Sequence, residues 1–322
     1  MTTTTAAAEL TTRFRSMASD IEVRVVAPGP GAAQAVDAAC AAIRSVATHL
    51  TRFEAAAALS VVNARPSSWH LAPPELAEAI EEAERAHRLT GGLFDPRVIE
   101  ELVAWGYDRT FDEIAPGPGA GPGRAPGDAR PPRAPWRPVV LPGEGRRLVH
   151  LGGAPIDLGG IGKGLAVRHA AAALAGAGTA VLVDAGGDQW LGGPGPDGDG
   201  WRVGVEDPHG GDDPVLVLSV ADTGCATSSV RRHHWVTADG TAVHHLVDPR
   251  TGRPGGPGLS AVTVLHPDPA WAEVWSKTLF LAGAVEVEAQ AQVRNLAAAW
   301  VTDTGQVRVS PAMEPFVLWR AA

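Results

Sequence analysis

The order of two hydrophobic rhythms restricts the fold more than any other feature of this chain. Apolar residues at helical spacing come first, over 33–50 and again over 73–89, the second run opening on Pro and closing on Gly-Gly. A strand-like alternation over 21–26 precedes them, and GGLFDPRVIEELVAWGY comes next as a Gly-marked turn into a short helix. Beyond a further helix over 161–175, short apolar runs separated by turn residues take over: 180–183, 201–205, 215–220, 234–236, 243–247, 260–266, 297–301 and 306–309. Helical stretches over 270–282 and 285–295 interrupt them. A doubly wound sheet needs strands and helices in regular alternation. Helices first, then strands on short turns, predict an α+β fold with helices packed on mixed or antiparallel sheets.

One stretch breaks the pattern. Residues 115–138 read APGPGAGPGRAPGDARPPRAPWRP, too rich in Pro and Gly for a packed element, and are expected to form an extended or disordered insertion. The chain beyond residue 138 does not look self-sufficient, so the insertion is placed inside one domain spanning 13–322, with residues 1–12 as a flexible tail. At 322 residues and 45% hydrophobic content the chain can bury a core. Its net charge of −9 argues against nucleic-acid binding and against anionic membranes as partners. No apolar run approaches the roughly 20 residues of a membrane span, and no signal peptide is seen, so a cytoplasmic location is expected. Cys40 and Cys225 stand far apart and read as small core residues. Only two of the 27 basic residues are lysine, Lys163 and Lys277.

Three segments carry candidate chemistry. IDLGGIGKG, residues 156–164, runs from a strand end at Asp157 through a Gly-rich turn into a helix. Such a turn presents backbone amides at a helix N-terminus, a natural phosphate seat, with Lys163 adding a cation. It matches neither the P-loop nor the dinucleotide fingerprint, so a plain strand-to-helix connection is an equal reading. HHLVDPRTGRP, residues 244–254, is an ordinary Asp-Pro turn or an acid/base set at a strand end. AEVWSKTLFLAG places Glu273 four residues before Lys277, the usual order of a helix-stabilising ion pair.

Together with FRSMAS, LTRFEAAAALSVVNA, TGGLFDPRV, VLVDAGGDQWLGG, WRVGVEDP and CATSSVRR, in this order, these segments resemble the ApbE family, the FAD:protein FMN transferases. The form with TSSVRR and HHLVDPRTG resembles the family's compact, signal-less branch of high-GC bacteria. The resemblance implies a T-fold-related domain that binds FAD in a cleft, its diphosphate beside a divalent metal, usually Mg2+. It also implies transfer of FMN through its phosphate to a Thr or Ser of an acceptor protein with an FMN-binding domain, releasing AMP. By the same resemblance Met17, Phe53, Leu93, Phe94 and Asp95 contact the cofactor. Asp157 and Lys163 face it from the Gly-rich turn, and Gly160 and Gly162 belong to the metal site. His245 and Asp248 match the H-x-x-D-P element, from which His245 and Leu246 contact the cofactor; His245, Asp95 and Lys163 are the candidate catalytic residues.

The last helix departs from the family. Where the family has A-D-x-x-x-T, with Asp and Thr on the metal, this chain has Glu273 and Lys277. Glu is a tolerable oxygen ligand, but an ammonium has no lone pair to donate. Three readings stay open. Lys277 replaces the metal as a tethered cation; or the metal is lost, leaving an FAD-binding protein or FAD diphosphatase; or the metal moves to other oxygens. A scaffold without a flavin is the alternative outside the class.

Overall fold

A computed structural model describes residues 8–110, 133–231, 234–237 and 240–321. The chain builds one eight-stranded sheet in the order β1-β2-β6-β7-β10-β15-β16-β17. Its strands are β1 (Glu9–Ser16), β2 (Ser19–Val26), β6 (Ala180–Ala185), β7 (Gln189–Gly192), β10 (Thr223–Ser229), β15 (Leu259–His266), β16 (Ala297–Thr302) and β17 (Val307–Val309). Every pairing in it is antiparallel. Helices α1 (Ala32–Leu50), α3 (Pro74–Leu89), α5 (Gly162–Ala173) and α6 (Pro269–Val293) cover one face. A three-stranded sheet of β8 (Trp201–Glu206), β9 (Pro214–Val220) and β18 (Val317–Arg320) covers the other. Consecutive residues sort onto the two faces, as a strand's period of two requires. Ala298 and Trp300 pack with the helices, while Ala299 between them packs with the small sheet. This is the α+β architecture that the order of elements predicts.

The structure corrects the expected boundaries in three places. Residues 9–12 are not a loose tail but the first half of β1, paired from Glu9↔Val26 to Ser16↔Ser19. The strand ELTTRFRS is polar because it is the sheet's edge, held by backbone bonds and an Arg13–Glu22 ion pair (2.8 Å), so hydrophobic periodicity misses it. Residues 115–132 of the Pro/Gly insertion lie outside the described residues, but 133–138 are part of the fold. Trp136 is buried, its indole N–H donating to the Leu151 carbonyl (2.8 Å). Arg133 donates to the Arg97 carbonyl (2.6 Å) and pairs with Glu101. Finally, 243–247 is two strands. Ala242–His244 pairs with His234–Val236, and Val247–Asp248 with Arg253–Pro254. The adjacent residues His245 and Leu246 form the break between them.

Helix α6 joins the two helices expected at 270–282 and 285–295, with a break at Gly283, whose φ of 76° no helix interior adopts. Its start is fixed by Asp268, whose carboxylate accepts from the Ala270 amide (2.9 Å) and from Nε and Nη2 of Arg168 (3.0 and 2.6 Å) on α5. Gly164 lets the two helices meet. A Cβ there would lie 2.6 Å from the Ala270 Cα and 2.7 Å from the Pro269 carbonyl oxygen. The N-terminal turns of α5 and α6 therefore converge, and with them the side chains of Lys163, Glu273 and Lys277.

Candidate functional site

A cleft of about 1180 Å³ opens where these two helix starts meet the turn between β1 and β2, the end of α1, the FDP segment and the turn between β6 and β7. Of the residues singled out from the sequence, Met17, Phe53, Leu93, Phe94, Asp95 and Asp157 line it, as do Gly160, Gly162, Lys163, His245, Glu273 and Lys277. Leu246 does not: its side chain is buried in the main core. Asp248 is also turned inward, where both of its oxygens are taken by Arg250 (2.9 to 3.2 Å). Met17 and Ala18 form a two-residue hairpin turn, both with positive φ (53° and 55°). Side chains there are strained, and the turn projects Met17 over the start of α5.

The floor of the cleft is a dense set of charges. Lys163 pairs directly with Asp188, on the turn after β6. Burial works against its ammonium, but Asp188 and Glu273 outweigh burial and hold its pKa above the ordinary lysine value. One Glu273 oxygen accepts the Gly164 amide (2.8 Å), a helix N-terminal N–H. Burial, reinforced by Asp188, pushes the Glu273 carboxyl up to about 7, with Lys163, Lys277 and that amide opposing. Lys277 donates to the Gly159 carbonyl (3.3 Å). Its pKa is lowered, by burial first and by Lys163 second, with Glu273 opposing.

Two aspartates have structural tasks. Asp157 accepts from the Gly159 amide (2.9 Å) and from Arg52 (2.6 Å), so it shapes the Gly-rich turn. Asp95 gives both oxygens to Arg97 (2.9 and 2.7 Å) and accepts the Arg97 amide (2.9 Å), with its side chain only 2% exposed. It locks the FDP turn at the wall of the cleft.

The structure also brings in residues that the sequence reading missed. Arg52 packs over the rings of Phe53 (4.3 Å) and Tyr107 (4.8 Å) and donates to the Tyr107 carbonyl (2.7 Å). In a chain with 25 arginines nothing marks this one, although it adjoins Phe53. Asp188 and Asp184 sit in the quoted DAGGDQW segment. Its Gly-Gly turn brings the Gly187 amide to Asp184 (2.9 Å) and Asp188 to Lys163.

A divalent metal does not fit where the family places one. The Lys277 ammonium occupies the position beside the Gly159 carbonyl, and it repels a cation instead of ligating it. One Glu273 oxygen is taken by Gly164. Among the described residues no group of three or more His, Cys, Asp or Glu side chains could hold a metal ion.

The model of the ApbE family matches residues 17–300, so the chain belongs to that family. Proteins named FAD:protein FMN transferase are among its relatives. That of Treponema pallidum is 30% identical over 250 residues, covering 70% of this chain and 65% of its own. That of Escherichia coli K12 is 30% identical over 170 residues, 51% of this chain and 48% of its own. The chain thus spans about half the length of several curated relatives it matches. The ApbE protein of Thermotoga maritima has the same fold, with a TM-score of 0.78 at 24% identity over 96% of this chain and 99% of that one. So has the Pseudomonas stutzeri flavinyl transferase ApbE, with a TM-score of 0.76 at 22% identity over 98% of each.

Proposed function

We propose that this protein is an FAD:protein FMN transferase. It attaches FMN through its phosphate to a Thr or Ser of an acceptor protein carrying an FMN-binding domain, and releases AMP. The observation that carries the reading is the cleft floor. Two lysines, the only two in the chain, converge on a Gly-rich turn at a helix N-terminus, beneath apolar walls from Met17, Phe53, Leu93 and Phe94. A diphosphate needs positive charge; two ring systems need apolar walls. The acceptor oxygen attacks the FMN-side phosphorus, a new P–O bond forms, and the bond from that phosphorus to the bridging oxygen breaks, leaving AMP. The hydroxyl proton passes to His245, which lines the cleft and whose residue type titrates in the useful range.

Purified protein is incubated with FAD and a candidate acceptor domain. The expected products are an acceptor heavier by one FMN and an equal amount of AMP. His245→Ala is expected to slow transfer about 100-fold while FAD affinity stays within about threefold. AMP without acceptor modification assigns a hydrolase instead. A protein that neither binds FAD nor releases AMP refutes the assignment.

A further inference from the structure

We propose that the Lys277 ammonium is the cation that receives the diphosphate of bound FAD, so that transfer runs without a divalent metal. The inference rests on the flavin-transfer reading and deepens it.

The two lysines of the cleft are not equivalent. Lys163 is spoken for: its ammonium sits directly on the Asp188 carboxylate. Lys277 has no carboxylate within ion-pair distance among the described residues, and its Nζ donates to the Gly159 carbonyl at the long distance of 3.3 Å. An ammonium has three donors, and here one of them is used by a neutral acceptor. The others are available to an anion in the cleft that Lys277 lines.

The surroundings hold Lys277 in place without neutralising it. Gly160 forms the cradle. A Cβ there would stand 2.9 Å from the Lys277 Nζ, 3.2 Å from its Cδ and 3.1 Å from Phe94, so only glycine admits the ammonium against the turn. On the helix side, Ser276 next to Lys277 is tied to Ser228 on β10 (2.9 Å), which fixes the helix against the sheet. Glu273, one turn before Lys277, is drawn to the Gly164 amide (2.8 Å) rather than into a direct pair with Lys277. The arrangement therefore sets a positive charge against the Gly-rich turn before α5, and its natural complement is a compact, doubly charged anion such as a diphosphate. A divalent ion at this point would meet a fixed ammonium instead of an oxygen ligand.

The test compares FAD with riboflavin, which shares the flavin but has no phosphate. Lys277→Met is expected to weaken FAD binding about 10- to 100-fold and to leave riboflavin binding unchanged within about twofold. The riboflavin arm also shows that the variant is folded. Lys277→Arg keeps the charge but not the fit, and is expected to lie between. With wild-type protein, FAD affinity and FMN transfer are expected to be the same in Mg2+ and in EDTA. Transfer that stops in EDTA and returns with Mg2+ overturns the proposal while leaving the flavin-transfer reading standing. Undiminished FAD affinity in Lys277→Met overturns it as well. FAD binding with the expected Lys277 dependence, but no modified acceptor and no AMP, refutes the transfer reading and leaves the cation assignment intact.

Discussion

Gly164→Ala tests the convergence on which the site depends. The added methyl would meet the Ala270 Cα at 2.6 Å, the Pro269 carbonyl oxygen at 2.7 Å and the Ala270 amide nitrogen at 3.0 Å. All three are backbone atoms at the start of α6 and cannot rotate away. Ordinary contact begins near 3.4 Å, so the helix starts must separate by roughly 0.8 Å, as in an overpacked core, at about 1–3 kcal/mol. The same movement stretches the buried bond from the Gly164 amide to Glu273 (2.8 Å), a charge-assisted bond of about 1.5–3 kcal/mol. Replacing a helical glycine by alanine returns about 1 kcal/mol. The net expectation is a loss of about 2–4 kcal/mol, read as a lower urea midpoint at unchanged slope. Gly143→Ala is the control. Its nearest neighbour to the new methyl is the Arg147 Cγ at 3.8 Å, and its stability should stay within about 0.5 kcal/mol of wild type. FAD affinity should fall at least tenfold in Gly164→Ala, because Lys163 sits at the start of α5 and Lys277 two turns into α6, so separating the helices parts the two. A loss below about 1 kcal/mol with FAD affinity intact would refute the argument that these two backbones meet at van der Waals limit.

Other substitutions probe separate parts of the molecule. Arg52→Met removes the partner of Asp157 (2.6 Å) from a site where the arginine side chain is 6% exposed, and should destabilise by about 2–3 kcal/mol. A double-mutant cycle with Asp157→Asn should give a coupling above about 1 kcal/mol, and additive losses would sink the claim that the pair acts as a unit. His244 is held neutral, mainly by burial, with its pKa lowered to about 4. The unfolded chain binds a proton there below about pH 6.5 while the folded chain does not. Stability from this group is therefore full above 6.5 and is lost as pH falls toward 4, by about 3 kcal/mol in all. His244→Asn, which keeps an acceptor for the Leu246 amide (3.2 Å), should flatten that part of the stability–pH curve; an unchanged slope would place the acid-sensitive group elsewhere.

What could be read from the sequence was what repeats or what departs from a local rule. The helices of 33–50 and 73–89 were legible because each buries one face, and their observed bounds, Ala32–Leu50 and Pro74–Leu89, differ by a single residue at the start. Strand β10 was not legible. TGCATSS has no apolar alternation, and it lies in the middle of the sheet because β7 and β15 flank it, a property of partners far away in the chain. The same holds for the site. The Gly-rich turn announces itself by composition, whereas the Arg52–Asp157 contact joins residues 105 apart and the Lys163–Asp188 pair spans a whole helix and strand. Asp95 stands out only through the family resemblance, and its two-oxygen hold on Arg97, two residues on, is a contact that the structure adds.

The scarcity of lysine then acquires a physical explanation at one of its two positions. The chain uses arginine at 25 of 27 basic sites, so a lysine that persists is one that arginine cannot replace without penalty. At Lys277 the geometry supplies the reason. Its Cδ and Nζ lie 3.2 and 2.9 Å from the point where Gly160 would carry a Cβ, with the Phe94 ring at 3.1 Å from the same point. A guanidinium is planar, broader than an ammonium, and needs room on both sides of its fork. In this slot it would have to swing out over the turn and lose the Gly159 carbonyl. An ammonium, a compact point charge, fits against the backbone and still presents hydrogens to the cleft. Glycine at 160 and lysine at 277 are in this sense one requirement written twice. Gly160→Ala should therefore reproduce the FAD-binding loss of Lys277→Met without changing the charge, by displacing the ammonium and pressing on the edge of the Phe94 ring.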